Sequence, residues 1–304
     1  MATFYDTHKD IGVMPAAIPA ISIIMILNIV GITGNSLVIA ITVHSKNLRS
    51  TANYLLAIES FFDSIHVMAH FYFAYVLYSG KNFDTLPTCL HIMTVPLTGL
   101  NIGTSLIFFT AVDRIFAMLL PVKHQKLNKV FYLGSILAIC MGYNACILYI
   151  GYLNAAEHSD TMVICLIIEG LHGTPAGIWS ATAASFIFGA VFIYIIIGIL
   201  IRFKNFSKCS TAKLYKSLLI ICIIFAFSWI GSMTAFVCNM FNASDELSFF
   251  LSLYLGITIN IACASNFFVL TRYSTDYRIA FKELFEKFRN QRIFVPIGRN
   301  SSST

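Results

Sequence analysis

The chain has 304 residues, of which 58% are hydrophobic and 11% charged, with a net charge of +6 and a mean hydropathy of +0.78. Soluble domains carry roughly 25% charged residues, so this composition excludes a soluble enzyme or binding module and indicates a polytopic membrane protein. The basic excess suits anionic inner-leaflet lipid and acidic protein partners, not nucleic acid.

Residues 1–17 hold Asp6, Lys9 and Asp10, with no basic leader and no short apolar run before a cleavage site, so no cleaved signal peptide is expected. Apolar runs follow, each long enough for the roughly 20 residues of a helical crossing. They predict spans at about 18–43, 52–79, 86–119, 130–153, 176–201, 214–240 and 248–272, making one all-α domain, a seven-transmembrane helix bundle. Eighteen of the 20 Lys and Arg lie in the 1–2, 3–4 and 5–6 connections or after span 7. The positive-inside rule therefore puts the N-terminus outside and the C-terminus in the cytoplasm. After span 7, "STDYRIAFKELFEKF" spaces Tyr277, Phe281, Leu284, Phe285 and Phe288 three or four apart with bases between. This predicts an amphipathic helix over 273–290 on the inner leaflet, N-capped by Ser274 or Thr275, before a cytoplasmic tail of 291–304. No cysteine follows it to carry a palmitoyl anchor.

Polar residues inside the apolar runs are functional candidates by default. In span 2, Glu59, Asp63, His66 and His70 are spaced 4, 3 and 4, which aligns them on one helical face over about 16 Å. Such a stripe either hydrogen-bonds to neighbouring helices or divides by depth. In the second case Glu59 partners Arg114 or a proton, while His66 and His70 line an outer ligand cavity. Two histidines four apart, with no third ligand, predict no metal site. The adjacent Asp113 and Arg114 fall near the cytoplasmic end of span 3. Cys89 precedes Arg114 by 25 residues, about 37 Å of helix, and so lies at the oxidising face. Cys165 is the other cysteine of the outer segments, and a Cys89–Cys165 disulfide is expected, with Cys238 as the competing partner. Cysteines 140, 146, 209, 222 and 263 read as small buried hydrophobes or, for Cys209, a cytoplasmic thiol. Asn242-Ala243-Ser244 is a glycosylation sequon in the outer 6–7 loop; the matches at Asn205 and Asn300 lie on the cytoplasmic side.

Taken together, Gly34-Asn35, Asn53, Asp63, Cys89, Asp113-Arg114, Pro121, Phe225, Ser228-Trp229 and Asn266 with "NFFVLTRYSTDYRIAF" resemble the rhodopsin-like G-protein-coupled receptors in register over about residues 18–290. "KSLLIICIIFAFSW" and the "VIC" of the second outer loop are most similar to the Srsx chemoreceptors of nematodes. The resemblance implies G-protein coupling through Asp113 and Arg114, a mid-membrane network of Asn35, Asp63 and Asn266, and a switch at Phe225 and Trp229. It also implies a sodium ion at Asp63, although Gly103 stands where a hydroxyl would complete the cage. Departures are Ile115 for the Tyr of DRY, Cys140 for the span 4 Trp, Gly231 for the span 6 Pro, and Phe267 and Leu270 for the Pro and Tyr of the span 7 motif. Thr211 replaces the acid some members place at the base of span 6, so a raised basal activity is expected.

Pro96 occupies the position where amine receptors carry an Asp, which argues against biogenic amines. The pocket expected from His66, His70, Pro96 and Trp229, among Phe, Tyr, Ile and Thr, suits a small, mostly apolar ligand. The expectation is a plasma-membrane receptor, with sensory cilia as a candidate location, working with a heterotrimeric G protein and open to heteromer formation. No cofactor is implied, and no enzyme motif such as HExxH or GxSxG occurs. The alternative is a proton- or ion-conducting transporter or channel using the span 2 stripe.

Overall fold

The computed structural model describes residues 4–203, 210–240 and 244–293. In hydrocarbon every backbone polar group has to be satisfied within the protein, which a helix does from its own residues. The apolar runs accordingly form helices: α1 (Phe4–His8), α2 (Ile18–His44), α3 (Thr51–Val67), α4 (Ala69–Ser79), α5 (Leu86–Leu119), α6 (Pro121–Gln125), α7 (Lys129–Glu157), α8 (Thr174–Phe203), α9 (Ser210–Met240), α10 (Asp245–Tyr273) and α11 (Thr275–Ile293). The strands β1 (Asp84–Thr85) and β2 (Met162–Val163) pair antiparallel, Asp84 opposite Val163. The protein is a multi-pass, all-α membrane bundle.

Packing closes a ring, α2 on α3, α3 on α5, α5 on α8, α8 on α9, α9 on α10 and α10 back on α2, with α7 against the outside of α5. Lipid tails are as apolar as leucine, so close fit holds such helices together more than a hydrophobic drive does. A Cβ on Gly34 of α2 would come within 2.9 Å of Phe267 Cβ on α10. Phe131, Phe192 and Phe227 are well exposed on the outside of the bundle.

Among the described residues, five helices, α2, α5, α7, α8 and α10, are long and apolar enough to cross a membrane by themselves. Helix α9 adds an apolar stretch at Tyr215–Gly231. The remaining crossing is α3 and α4, joined at Met68, which keeps helical dihedrals (φ −62°, ψ −23°) while its N–H reaches Ile65 O at 3.2 Å, a local tightening of the helix. Two neighbours touch this turn. Asn28 Nδ2 of α2 donates to Val67 O at 3.1 Å, occupying a carbonyl of the last turn. Gly99 of α5 lies against the same turn, where a Cβ would be 2.6 Å from both His66 N and Phe62 O.

At the start of α11, Ser274 is buried and its hydroxyl accepts from Tyr277 N at 3.5 Å. Tyr277 and Phe281 are buried, with Phe281 edge-on to Phe267 of α10 at 4.8 Å. The other face of α11 carries exposed Arg278, Lys282 and Phe285.

Candidate functional site

The Arg114 end of the bundle is assembled around Asp113, which is fully buried. Arg114 Nε donates to Asp113 Oδ2 at 2.9 Å, and its Nη2 contacts the same oxygen. The Thr51 hydroxyl, in the first turn of α3, donates to Asp113 Oδ2 at 3.1 Å and accepts from Arg114 Nη2 at 3.1 Å. On the other side His124 Nε2 of α6 lies 2.8 Å from Asp113 Oδ1. A turn from Leu120 into Pro121 brings α6 back beneath α5, and the His124 ring seats edge-on against Phe116 and Tyr132. Three elements thus converge on one carboxylate, and charge-assisted hydrogen bonds of this kind are about twice as strong as neutral ones.

Glu59, expected from sequence to partner Arg114, is not among its hydrogen-bond partners. The adjacent carboxylate and the Thr51 hydroxyl take Nε and Nη2, and Glu59 keeps Oε1 with no hydrogen-bond partner. Thr51 and His124 went unnoticed in the sequence; a Thr at a helix start and a His in a basic loop carry no signal of their own. The side chain of Thr211 lies outside the described residues.

At mid-bundle, Asn266 Nδ2 of α10 donates to Asp63 Oδ2 at 3.1 Å. Asn35 joins α10 instead of Asp63, donating from Nδ2 to Cys263 O at 3.4 Å. Both asparagines leave their amide oxygen without a partner. Gly103 packs on this group, where a Cβ would be 3.0 Å from Asp63 Oδ1.

His66 and His70 sit on opposite sides of the Met68 turn with their rings 6.0 Å apart. His66 Nδ1 lies 3.6 Å from Cys263 Sγ, and His70 Nε2 has no partner. Both rings are buried between helices, with no ligand needed to cover them in this arrangement.

Trp229 and Phe225 are buried on α9, and Trp229 packs on Trp179 of α8 with ring centroids 5.2 Å apart. Trp179 Nε1 donates to Asn101 Oδ1 at 2.7 Å, Asn101 Nδ2 donates to Asn144 Oδ1 at 2.8 Å, and Asn144 Nδ2 donates to Thr98 Oγ1 at 3.3 Å. This chain ties α5, α7 and α8 to the Trp229 ring one link at a time, and sequence reasoning missed it. An asparagine inside an apolar run was the available signal, but periodicity in one helix does not say which other face it meets. Pro96 is buried within α5, on the stretch between Cys89 and this network.

At the opposite end, Cys89 and Cys165 form a disulfide, with Cα atoms 5.4 Å apart. It fastens the start of α5 to the loop after β2. The segment before α2 folds over the same end. Phe4 packs on Phe83 and Phe249 at 6.0 and 5.7 Å, Asn82 Nδ2 donates to Gly12 O at 2.6 Å, and Tyr254 OH donates to Ala16 O at 2.9 Å. Gly80, at φ +70°, makes room for that crossing, since a Cβ there would be 3.1 Å from the Gly12 backbone. Beneath it Met14, Ile21, Phe73, Ile164, Phe249 and Leu253 form an apolar cluster. Asn242, Cys209 and the sequons at Asn205 and Asn300 lie outside the described residues, as does the side chain of Cys238.

The family pattern described as serpentine type 7TM GPCR chemoreceptor Srsx matches residues 28–285, from the first third of α2 into α11. No curated protein matches the chain.

Proposed function

This chain belongs to the Srsx family of serpentine 7TM GPCR chemoreceptors, and we propose that it is a receptor for a small, mostly apolar molecule that activates a heterotrimeric G protein. The observation that carries the reading is the buried Arg114, held by Asp113, Thr51 and His124 at the base of the bundle. A charged group kept closed in this way becomes available to an acidic or carbonyl-rich partner once the helices around it part.

In the proposed mechanism the Arg114 end faces the cytoplasm and the Cys89 end faces outside, at the plasma membrane. The ligand binds better to an arrangement in which Trp229 has shifted against Trp179, moving a pre-existing equilibrium toward it. Helix α9 then swings outward and uncovers Arg114. Bending of α9 without a proline is supported by Ser228, whose hydroxyl lies 2.9 Å from Ile224 O within α9 and 2.8 Å from Thr258 O on α10. Asp63 Oδ1 and the free amide oxygens of Asn35 and Asn266 are the groups that would hold a sodium ion, with no hydroxyl from Gly103. In α11 the basic outer face and Phe285 would rest on the anionic inner leaflet.

The conducting alternative needs a continuous polar path across the membrane, whereas the span 2 stripe is buried between helices. The test of the receptor reading is nucleotide exchange on a panel of Gα proteins in membranes holding this chain, with volatile and small-metabolite ligands. Exchange above background is expected, and it should vanish in Arg114→Ala at matched surface level. Exchange equal in the two proteins under every condition would sink the proposal.

A further inference from the structure

Four helices meet around Glu59 one turn below Asp63, and the space between them is enclosed by Leu56 and Glu59 of α3, Thr110 of α5, Tyr194 of α8, and Leu218 and Cys222 of α9. Glu59 and Thr110 are 1% and 2% exposed, and Glu59 Oε1 and Thr110 Oγ1 both lack a hydrogen-bond partner. Two orphaned polar atoms thus line one small cavity. Its free volume is ≈ 10 Å³, about the least that holds one water and too little for a hydrated metal ion.

An ionised carboxylate left unpaired in such a place costs several kcal/mol, so some cation has to accompany it. The titratable groups around Glu59 are Asp63 on its own helix, Tyr194 on α8, Cys222 on α9, Cys263 on α10 and Tyr277 on α11, with Asp113 and Arg114 of α5 near Tyr194. Arg114 is the one cation in this set, and its Nε and Nη2 are bound to Asp113 and Thr51. Among the lining side chains Glu59, Thr110 and Tyr194 carry oxygen, short of the roughly six ligands a bare hard cation takes, so the counter-charge that fits is a proton.

We infer that the Glu59 cavity is a proton-binding site of the resting receptor, in which the carboxyl O–H and one water bridge toward Thr110, and that the proton leaves for the cytosol when α9 moves away. The inference rests on the receptor reading for its link to activity. One wall of the cavity is α9, so outward movement of that helix opens the carboxyl to water. There it ionises without cost and becomes an acceptor for Arg114 as that side chain leaves Asp113. No covalent bond other than O–H changes, and the proton passes to bulk water. Because the proton binds the resting state preferentially, raising cytosolic pH favours the active state.

Two measurements test it. Infrared difference spectra of purified receptor, taken across pH and in D₂O, read a protonated buried carboxyl directly. A band absent in Glu59→Gln and retained in Asp63→Asn is expected; no such band, or one that persists in Glu59→Gln, would overturn the site. Basal nucleotide exchange should rise with pH by up to about tenfold per unit, the limit for one linked proton, and the Glu59→Gln profile should be flat and low. Equal pH profiles for the two proteins overturn the linkage. Absence of exchange at any pH counts against the receptor reading, while the infrared band still decides the proton site.

Discussion

At the Cys89 end the helices are joined by a disulfide, a short strand pair and the rings of Phe4, Phe83 and Phe249. At the Arg114 end they are joined by hydrogen bonds that converge on one carboxylate, beside a cavity holding a second, unpaired acid. The first kind of contact has one arrangement, because a disulfide has a single partner and close-packed rings lose contact outright when displaced. The second kind has alternatives, since Arg114 can trade one acceptor for another of equal chemistry. Packed interfaces switch between discrete states rather than deforming continuously. The proposed mechanism accordingly puts movement at the end where partners are exchangeable, with the covalently tied end as the fixed reference.

The largest expected effect breaks the fixed end. Cys89→Ser opens a link between residues 76 apart in sequence, and loss of such a bond costs about 2–5 kcal/mol. Thermal unfolding in detergent should show a large drop, and surface expression should fall with it; an unchanged melting temperature would mean that ring packing alone holds this end. A smaller effect falls on the link between the two halves. Asn101→Ala strands Trp179 Nε1 and Asn144 Oδ1, and should cost about 1–2 kcal/mol. Trp179→Phe should keep the ring contact with Trp229 and lose only the hydrogen bond. The double mutant should then be no worse than Asn101→Ala alone, and simple additivity would show that the network is not a unit.

The smallest effect is at the loop before α8. His172 Nδ1 lies 3.3 Å from Glu169 Oε2, and this hydrogen bond raises the imidazole above its ordinary value, against the opposing effect of burial. A raised folded-state value gives stability that is fully present below the unfolded value of about 6.5 and lost as pH rises through the folded one. Stability measured from pH 6 to 8 should therefore decline slightly more in the wild type than in His172→Asn, a residue that tolerates the positive φ of 28°. Both side chains are close to half exposed, so the decline is small; a decline in the opposite direction would assign the loop's pH response to another group.

Much of this was legible from residue order. Apolar runs placed the helices, and the amphipathic spacing of Tyr277 and Phe281 placed α11. Asp63 and Asn266 were candidates through resemblance, and they meet. Of the two partners expected for Glu59, Arg114 or a proton, Arg114 is bound elsewhere: a residue's partner depends on side-chain direction across two helices, and the adjacent Asp113 holds the guanidinium. The span 2 stripe passes through a tightened turn at Met68, which Asn28 and Gly99 of other helices contact. Nothing in residues 59–70 themselves signals that turn.

The sequence by itself determined that this protein is a helical membrane bundle of the serpentine type, with a disulfide at one end and a buried acid–base pair at the other. Hydrophobic run length and charge distribution act locally along the chain, so they are readable without coordinates. Only the tertiary structure decided which polar groups meet: His124 with Asp113, Trp179 with Asn101, and Glu59 with Thr110 across one small cavity. Those pairings arise where separate helices touch in a low-dielectric interior. There each polar group takes whichever partner the packing presents, and a single strand of letters does not record that choice.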